Sequence, residues 1–219
     1  MNIARESLEK LDDLTYSSSN LLVRWYFWSR LTSMVRVAGS PAPGLILDIG
    51  CGRGELLRVL TKEFSHSEFL AVDLGDDIFV ARRRIKGKDV RSLQFVRADV
   101  RLLPLRSCCS QLVFCASVLE HLPDVLPAIL EMRRILGRGG RLVVGVPTEN
   151  RVYHIARKLA GFRKPADHHH QGTLVDKLLR DKLDLSISRK LPFSLLPRFL
   201  ALYLVSVYEK ERKPTSVSA

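Results

Sequence analysis

Between Gly44 and Pro147, short apolar runs alternate with helix-like segments: LILDI precedes ELLRVLTKEF, FLAVD precedes IFVARRRI, LQFVRAD follows, QLVFCA precedes DVLPAILEMRRIL, and RLVVGV closes the series. Short apolar runs with little polar alternation are strands covered on both faces, and strands separated by helices are joined by crossovers. The stretch therefore predicts an α/β fold, a doubly wound and mostly parallel sheet with helices on both faces. A ligand of such a sheet lies at the carboxyl ends of its strands, near the point where strand order reverses. LDLSIS and LALYLVSVYE supply two closing strands, making seven in all.

Ahead of this series, SSSNLLVRWYFWSRLTSMV reads as a helix capped near Ser19 or Asn20 and dense in aromatic residues. Asp124 is placed to cap DVLPAILEMRRIL, and Gly137, Gly139 and Gly140 to stop it. Residues 150–170 read as a cap or insertion, after which Thr173 opens a short helix. The expected organisation is an N-terminal helical extension or lid over 1–40, a ligand-binding core over 41–149, and a cap segment with two closing strands of the same domain over 150–219.

Composition narrows the class. With 46% hydrophobic residues the chain is globular rather than disordered, and no apolar run reaches the roughly 18 residues of a membrane span. The opening MNIARESLEKLDDL is amphipathic and acid-bearing, unlike a secretory signal or transit peptide. The four cysteines, Cys51, Cys108, Cys109 and Cys115, form no CxxC unit, and no histidine stands at zinc-ligand spacing from them. A cytoplasmic protein without a metal is expected, with Cys108, Cys109 and Cys115 as small packing residues. The net charge of +12 is concentrated in residues 151–219, which hold 14 basic and 6 acidic residues. Such a region meets nucleic acid, anionic lipid or an anionic substrate, or is a solvated face.

The loop after LILDI is GCGRG, so the chain turns sharply between a strand and the helix ELLRVL and brings backbone close to a ligand at a helix N-terminus. A dinucleotide site reads GxGxxG and places a diphosphate there. Here Asp48 stands just before the first glycine, where it repels a diphosphate and suits an ammonium. An amino acid fits such a loop. FLAVD then ends in Asp73, a carboxylate able to accept from both hydroxyls of a ribose, and RAD offers Asp99 to an exocyclic adenine amine. An amino acid joined to adenosine is S-adenosylmethionine.

With these pieces in order, the chain resembles the class I, seven-stranded S-adenosylmethionine-dependent methyltransferases from about Leu45 to Pro147. The likeness rests on LILDIGCGRG, AVD, RADVRLLPL, LVFCASVLEHLPD and ILGRGGRLVVGVP. FCASVLEHLPD with ILGRGG is most similar to the small-molecule group that includes ubiquinone and menaquinone biosynthesis methyltransferases. The resemblance implies a Rossmann-like sheet whose last strand is antiparallel. It also implies that Asp48, Gly50, Cys51, Gly52 and Gly54 form the loop at the methionine end, Asp73 and Leu74 hold the ribose, and Asp99 and Val100 hold the adenine. Ser117 and His121 then line the cofactor's reactive side. Residues 150–190 match nothing specific.

Methyl transfer from a sulfonium proceeds in line with the breaking bond, so the protein must align the reactants, exclude water and, for a hydroxyl or acidic carbon, remove a proton. Histidine titrates in the useful range, which makes His121 and the run His168, His169 and His170 the candidate catalytic residues. His121 also has a structural reading, ordering the cofactor loop, and the triple histidine a solvated one. Adjacent residues point in different directions, so at most one or two face a pocket. Glu120 contacts the acceptor or a neighbouring charge. The fourth strand ends in CASVLEH rather than the NPPY-like run of enzymes that methylate base amino groups.

The expected acceptor is a small, apolar or lipid-like molecule, delivered from an anionic membrane touched peripherally. Its mouth is expected among Trp25, Tyr26, Phe27, Trp28, Phe193, Leu195 and Leu196, rimmed by basic residues. Two alternatives stay open: an RNA or protein acceptor, and a cofactor-binding protein without transfer activity.

Overall fold

The computed structural model describes residues 16–39, 44–85, 92–162, 168–195 and 197–211. MNIARESLEKLDDL and Leu196 lie outside them. Helix α1, Leu21–Ala38, starts at Asn20, whose side-chain oxygen accepts from the amides of Leu22 (3.0 Å) and Val23 (3.3 Å). The chain continues through β1 (Leu45–Ile49), α2 (Glu55–Glu63), β2 (Glu68–Asp73), α3 (Asp77–Ile85), β3 (Ser92–Arg97), β4 (Ser110–Ala116), α4 (Leu126–Ile135) and β5 (Leu136–Pro147). It closes with α5 (Arg151–Leu159), α6 (Gly172–Arg180), β6 (Asp184–Leu191) and β7 (Tyr203–Glu209).

The seven strands form one sheet in the order β3-β2-β1-β4-β5-β7-β6. The first five are parallel, and β7 runs antiparallel to both β5 and β6. Strand order reverses between β1 and β4, so the crevice beyond their carboxyl ends is where the topology places a ligand.

Both faces of the sheet are covered. Leu47, Ile49, Val113, Cys115, Leu142 and Val144 join the core with Ile129 and Met132 of α4 and Val175 and Leu179 of α6. Ile46, Leu112, Phe114 and Val143, one residue out of step, join the opposite core with Met34 of α1 and Leu57 of α2. Side chains of successive strand residues point to opposite faces, which is why the runs read as almost continuously apolar. Helix α1 is divided along its length: Leu31, Met34, Val35, Val37 and Ala38 are buried, whereas Leu21, Leu22 and Trp25 are exposed.

The cap segment is fixed to the sheet by a buried carboxylate. Asp176 on α6 accepts from the Tyr208 hydroxyl of β7 (2.5 Å), Arg198 (2.5 Å) and Arg180 (3.1 Å). Burial alone raises its pKa, but the three hydrogen bonds outweigh burial and leave the carboxyl below its ordinary range.

Two local expectations are corrected. Helix α4 ends at Ile135 and β5 begins at Leu136, so Gly137, Gly139 and Gly140 lie inside the strand rather than stopping the helix. There they accommodate a shift of register, since Ser110 pairs with Leu136 but Leu112 with Arg141. Cys108 is not a packing residue: it is exposed, at φ 56°, and receives the Lys210 ammonium at 3.6 Å.

Candidate functional site

The turn after β1 is tied down from β2. The amides of Gly50 (2.7 Å) and Cys51 (3.0 Å) both donate to the Val72 carbonyl, and the Gly52 amide donates to a carboxylate oxygen of Asp73 (2.8 Å). The other Asp73 oxygen accepts from the Gly75 amide (2.7 Å). One carboxylate thus holds the loops after β1 and β2 together. Gly50 has φ 74° and a side chain there would meet Val118 at 2.1 Å, so both conformation and space demand glycine. Gly52 differs: at φ 49°, a Cβ would meet nothing within 4 Å, because this glycine faces open space.

That space is a cavity of about 390 Å³ at the carboxyl ends of β1 to β4, within the range of small-molecule sites. Of the cofactor residues expected from the sequence, Gly50, Gly52, Asp73, Leu74, Asp99, Val100, Ser117 and His121 line it. Asp48, Cys51 and Gly54 are not among the lining residues. Gly54 opens α2 at φ 87°, with Ala81 and Ile85 of α3 near 3 Å from the position of a Cβ. The Cys51 thiol is buried, and burial pushes its pKa up, which keeps it neutral. Asp99 is engaged at the rim: Arg101 donates to it through Nη2 (2.6 Å), Nε (3.0 Å) and the backbone amide (2.8 Å). These bonds lower its pKa.

Asp48 is 1% exposed, and its Oδ2 has no hydrogen-bond partner. Burial, then the carboxylates of Asp73 and Glu55, push its pKa up to about 8. A buried acid with an orphaned oxygen next to a backbone cradle is the acceptor that an ammonium requires, so the residues present fit an amino-acid end of a ligand.

Arg30 of α1 closes the other side. Its guanidinium donates to the Ser117 hydroxyl (2.5 Å) and lies 4.0 Å from the Tyr203 ring centroid, and the Tyr203 hydroxyl shares a hydrogen bond with Ser117 (2.9 Å). Ser117 faces the first cavity and Arg30 a second one of about 270 Å³, lined by Leu22, Val23, Trp25, Tyr26, Phe27, Tyr153, Phe162 and Pro192 among others. Of the expected mouth residues, Trp25, Tyr26 and Phe27 line this apolar cavity. Phe193 and Leu195 are exposed beside Pro192, and Trp28 turns away, donating to the Tyr16 carbonyl (3.1 Å).

The three histidines separate as adjacent residues must. The His168 side chain is 6% exposed, bonded through Nδ1 to Glu149 (2.7 Å) and set edge-to-face against His121 with centroids 4.6 Å apart. His169 is exposed, and His170 bonds the Pro123 carbonyl at 3.0 Å. Sequence reasoning did not single out Arg30, Tyr203 or Glu149. Each reaches the site by tertiary packing across at least one other element, and nothing in its own neighbourhood along the chain signals that.

An acid whose folded-state pKa lies above its unfolded value costs stability increasingly as pH rises from the unfolded value to the folded one, and in full above it. Asp48→Asn is therefore expected to stabilise the ligand-free protein by a margin that grows between about pH 5 and pH 9, reaching on the order of 1–3 kcal/mol. Thermal unfolding across that range is the measurement. A variant less stable than the parent at pH 8 would show that the carboxylate is paired in the free protein.

Comparisons with known proteins agree with this geometry. Residues 47–144 match the methyltransferase domain family. The ubiquinone/menaquinone biosynthesis C-methyltransferase of Shewanella baltica is 31% identical over 126 residues, covering 54% of this chain and 47% of that protein. The malonyl-[acyl-carrier protein] O-methyltransferase of Herminiimonas arsenicoxydans is 29% identical over 110 residues, covering 50% of this chain and 40% of that one. The chain spans under half the length of either relative. Among solved structures, the N-methyltransferase NodS of Bradyrhizobium japonicum with S-adenosyl-L-homocysteine superposes with a TM-score of 0.66 at 20% identity, over 85% of this chain and 88% of that one. Residues 47–144 thus match a methyltransferase domain, on a fold shared with solved methyltransferases.

Proposed function

We propose that the protein transfers a methyl group from S-adenosylmethionine to a small, apolar acceptor bearing an oxygen. The observation that carries the donor half is the orphaned, buried Asp48 carboxylate beside the open face of Gly52. When bound, the cofactor supplies an electrophilic methyl group on a sulfonium centre.

In this reading Asp48 takes the ammonium, and the backbone at Gly50 and Gly52 lies against the methionine portion. Asp73 accepts ribose hydroxyls. A carboxylate has about four acceptor positions, so its bonds to the Gly52 and Gly75 amides leave room for them. Leu74 and Val100 give apolar contact at the ribose and adenine, with Asp99 at the adenine edge. Ser117 and His121 stand at the reactive side, and His168 behind His121 is held in orientation by Glu149.

The acceptor half rests on the second cavity. Its apolar lining carries two buried polar atoms without hydrogen-bond partners, the Tyr26 hydroxyl and the Arg30 Nε, one helical turn apart on α1. An acceptor with an apolar body and one oxygen satisfies both. The relative from Shewanella baltica, a ubiquinone/menaquinone biosynthesis C-methyltransferase by name, is compatible with such a molecule. Around the mouth, Leu22, Trp25, Leu159, Phe193 and Leu195 are exposed, with Arg24 and Lys158 beside them. No helix among the described residues is long and apolar enough to cross a membrane. We place the protein in the cytoplasm, touching an anionic membrane through this mouth, where each basic residue adds on the order of 1 kcal/mol.

Two experiments follow. Gly52→Val is expected to retain a cooperative thermal transition, lowered by about 1–2 kcal/mol for a branched residue in the left-handed region, while losing at least tenfold in S-adenosylmethionine affinity by calorimetry. Full affinity in the folded variant contradicts the loop assignment. The parent protein with labelled S-adenosylmethionine and an apolar cell extract is expected to yield a labelled, extractable product. Label recovered only in RNA or protein, or no turnover of bound cofactor, would instead favour the other acceptors or a non-catalytic protein.

The membrane clause is checked separately. Co-sedimentation with anionic but not neutral vesicles, diminished by salt and by combining Trp25→Ala with Leu22→Ala, is the expected result. Equal and negligible binding to both vesicle types removes that clause and points to a soluble acceptor.

A further inference from the structure

Behind the cofactor cavity the fold gathers three side chains that sequence spacing keeps apart. Glu120 and His121 form the short helical turn after β4, and His168 arrives from the cap segment. One ligand atom from each lies within 4.8 Å of the others. Glu120 is 1% exposed, and its Oε2 has no hydrogen-bond partner. Arg30 acts on Glu120 electrostatically, but its guanidinium donates to Ser117 and stacks on Tyr203 instead.

The orientation of His168 is fixed by a second carboxylate. Glu149, itself buried, accepts from Nδ1 at 2.7 Å, so that nitrogen carries the hydrogen and Nε2 is the ring nitrogen left to meet a ligand. A carboxylate bonded to the far nitrogen of an imidazole is the usual support of a metal-ligating histidine, setting both tautomer and direction.

We infer that Glu120, His121 and His168 form a site for one divalent cation of the first transition row, with Glu149 as the positioning residue. Two imidazoles and a carboxylate suit zinc or manganese better than magnesium or calcium, which prefer oxygen alone. Coordination bonds of about 2.0–2.2 Å require the three ligand atoms to draw together on binding. Three protein ligands leave at least one position open, and His121 also lines the cofactor cavity. An oxygen held at that open position, beside the cofactor cavity, would become more acidic. The expectation of no metal rested on cysteine and histidine spacing and on the divergence of adjacent histidines, whereas the third ligand lies 47 residues beyond the second along the chain. That last role rests on the methyltransferase reading, whereas the metal site itself does not.

The test is calorimetric titration of metal-stripped protein with Zn²⁺ and Mn²⁺, with S-adenosylmethionine affinity measured on the same samples. One equivalent of metal binding at micromolar or tighter Kd is expected, weakened at least tenfold by Glu120→Gln and by His168→Ala, and partly by Glu149→Gln. Paramagnetic broadening of the His121 and His168 ring signals by Mn²⁺ locates the ion independently of activity. Absence of binding at 100 µM metal, or equal binding by all three variants, overturns the site. Metal binding without cofactor binding upholds the site and overturns the methyltransferase reading alone.

Discussion

A carboxylate buried at the end of the first strand, with one oxygen left unbonded, is the constraint around which the site is arranged. Asp48 is an unfavourable residue for the free protein, since burial and the neighbouring acids Asp73 and Glu55 all oppose its charge. The fold tolerates it because strand β1 is pinned on both sides, by β2 and β4, in the middle of a sheet with two apolar cores. A position so over-determined can hold a group that a ligand must neutralise. The glycine loop follows directly, because the backbone after Asp48 has to turn within a few residues to leave the cradle open at Gly52 while closing on Val118 at Gly50.

The second element of the arrangement is the partition between the two cavities. Arg30, Ser117 and the Tyr203 hydroxyl form a hydrogen-bonded wall contributed by α1, the end of β4 and β7. A buried guanidinium over one aromatic ring and near another is a rigid group, and cation–π contact adds to its hydrogen bonds. Helix α1 serves both sides of this wall. Its second half is core, and its first half presents Trp25 and Tyr26 to the apolar cavity.

Much of this was legible in the sequence because it is local or periodic. The parallel strands announce themselves as apolar runs, and GCGRG, Asp73, Asp99 and Ser117 sit at strand ends where the topology must bring them together. What was not legible is what depends on packing between distant segments. Arg30 lies amid aromatic residues on a helix and gives no sign that it will reach Ser117. Glu149 looks like the start of a loop, yet it orients His168, and the Asp176 cluster unites α6 with β7 and Arg198. The glycines after α4 were misread because a helix stop and a strand irregularity use the same residue. Glu120 and His121 adjoin in sequence, but their partner is one of three consecutive histidines, and only packing selects His168 from the run.

The account stands most directly on proton release. If Asp48 holds a proton in the free protein near neutral pH and loses it to solvent when an ammonium binds beside it, then S-adenosylmethionine binding measured calorimetrically at pH 7 in buffers of different ionisation enthalpy should show release of a large fraction of one proton. The same titration with Asp48→Asn should show much weaker binding and no release. Tight binding by both proteins with no dependence on buffer would contradict the role given to the buried carboxylate.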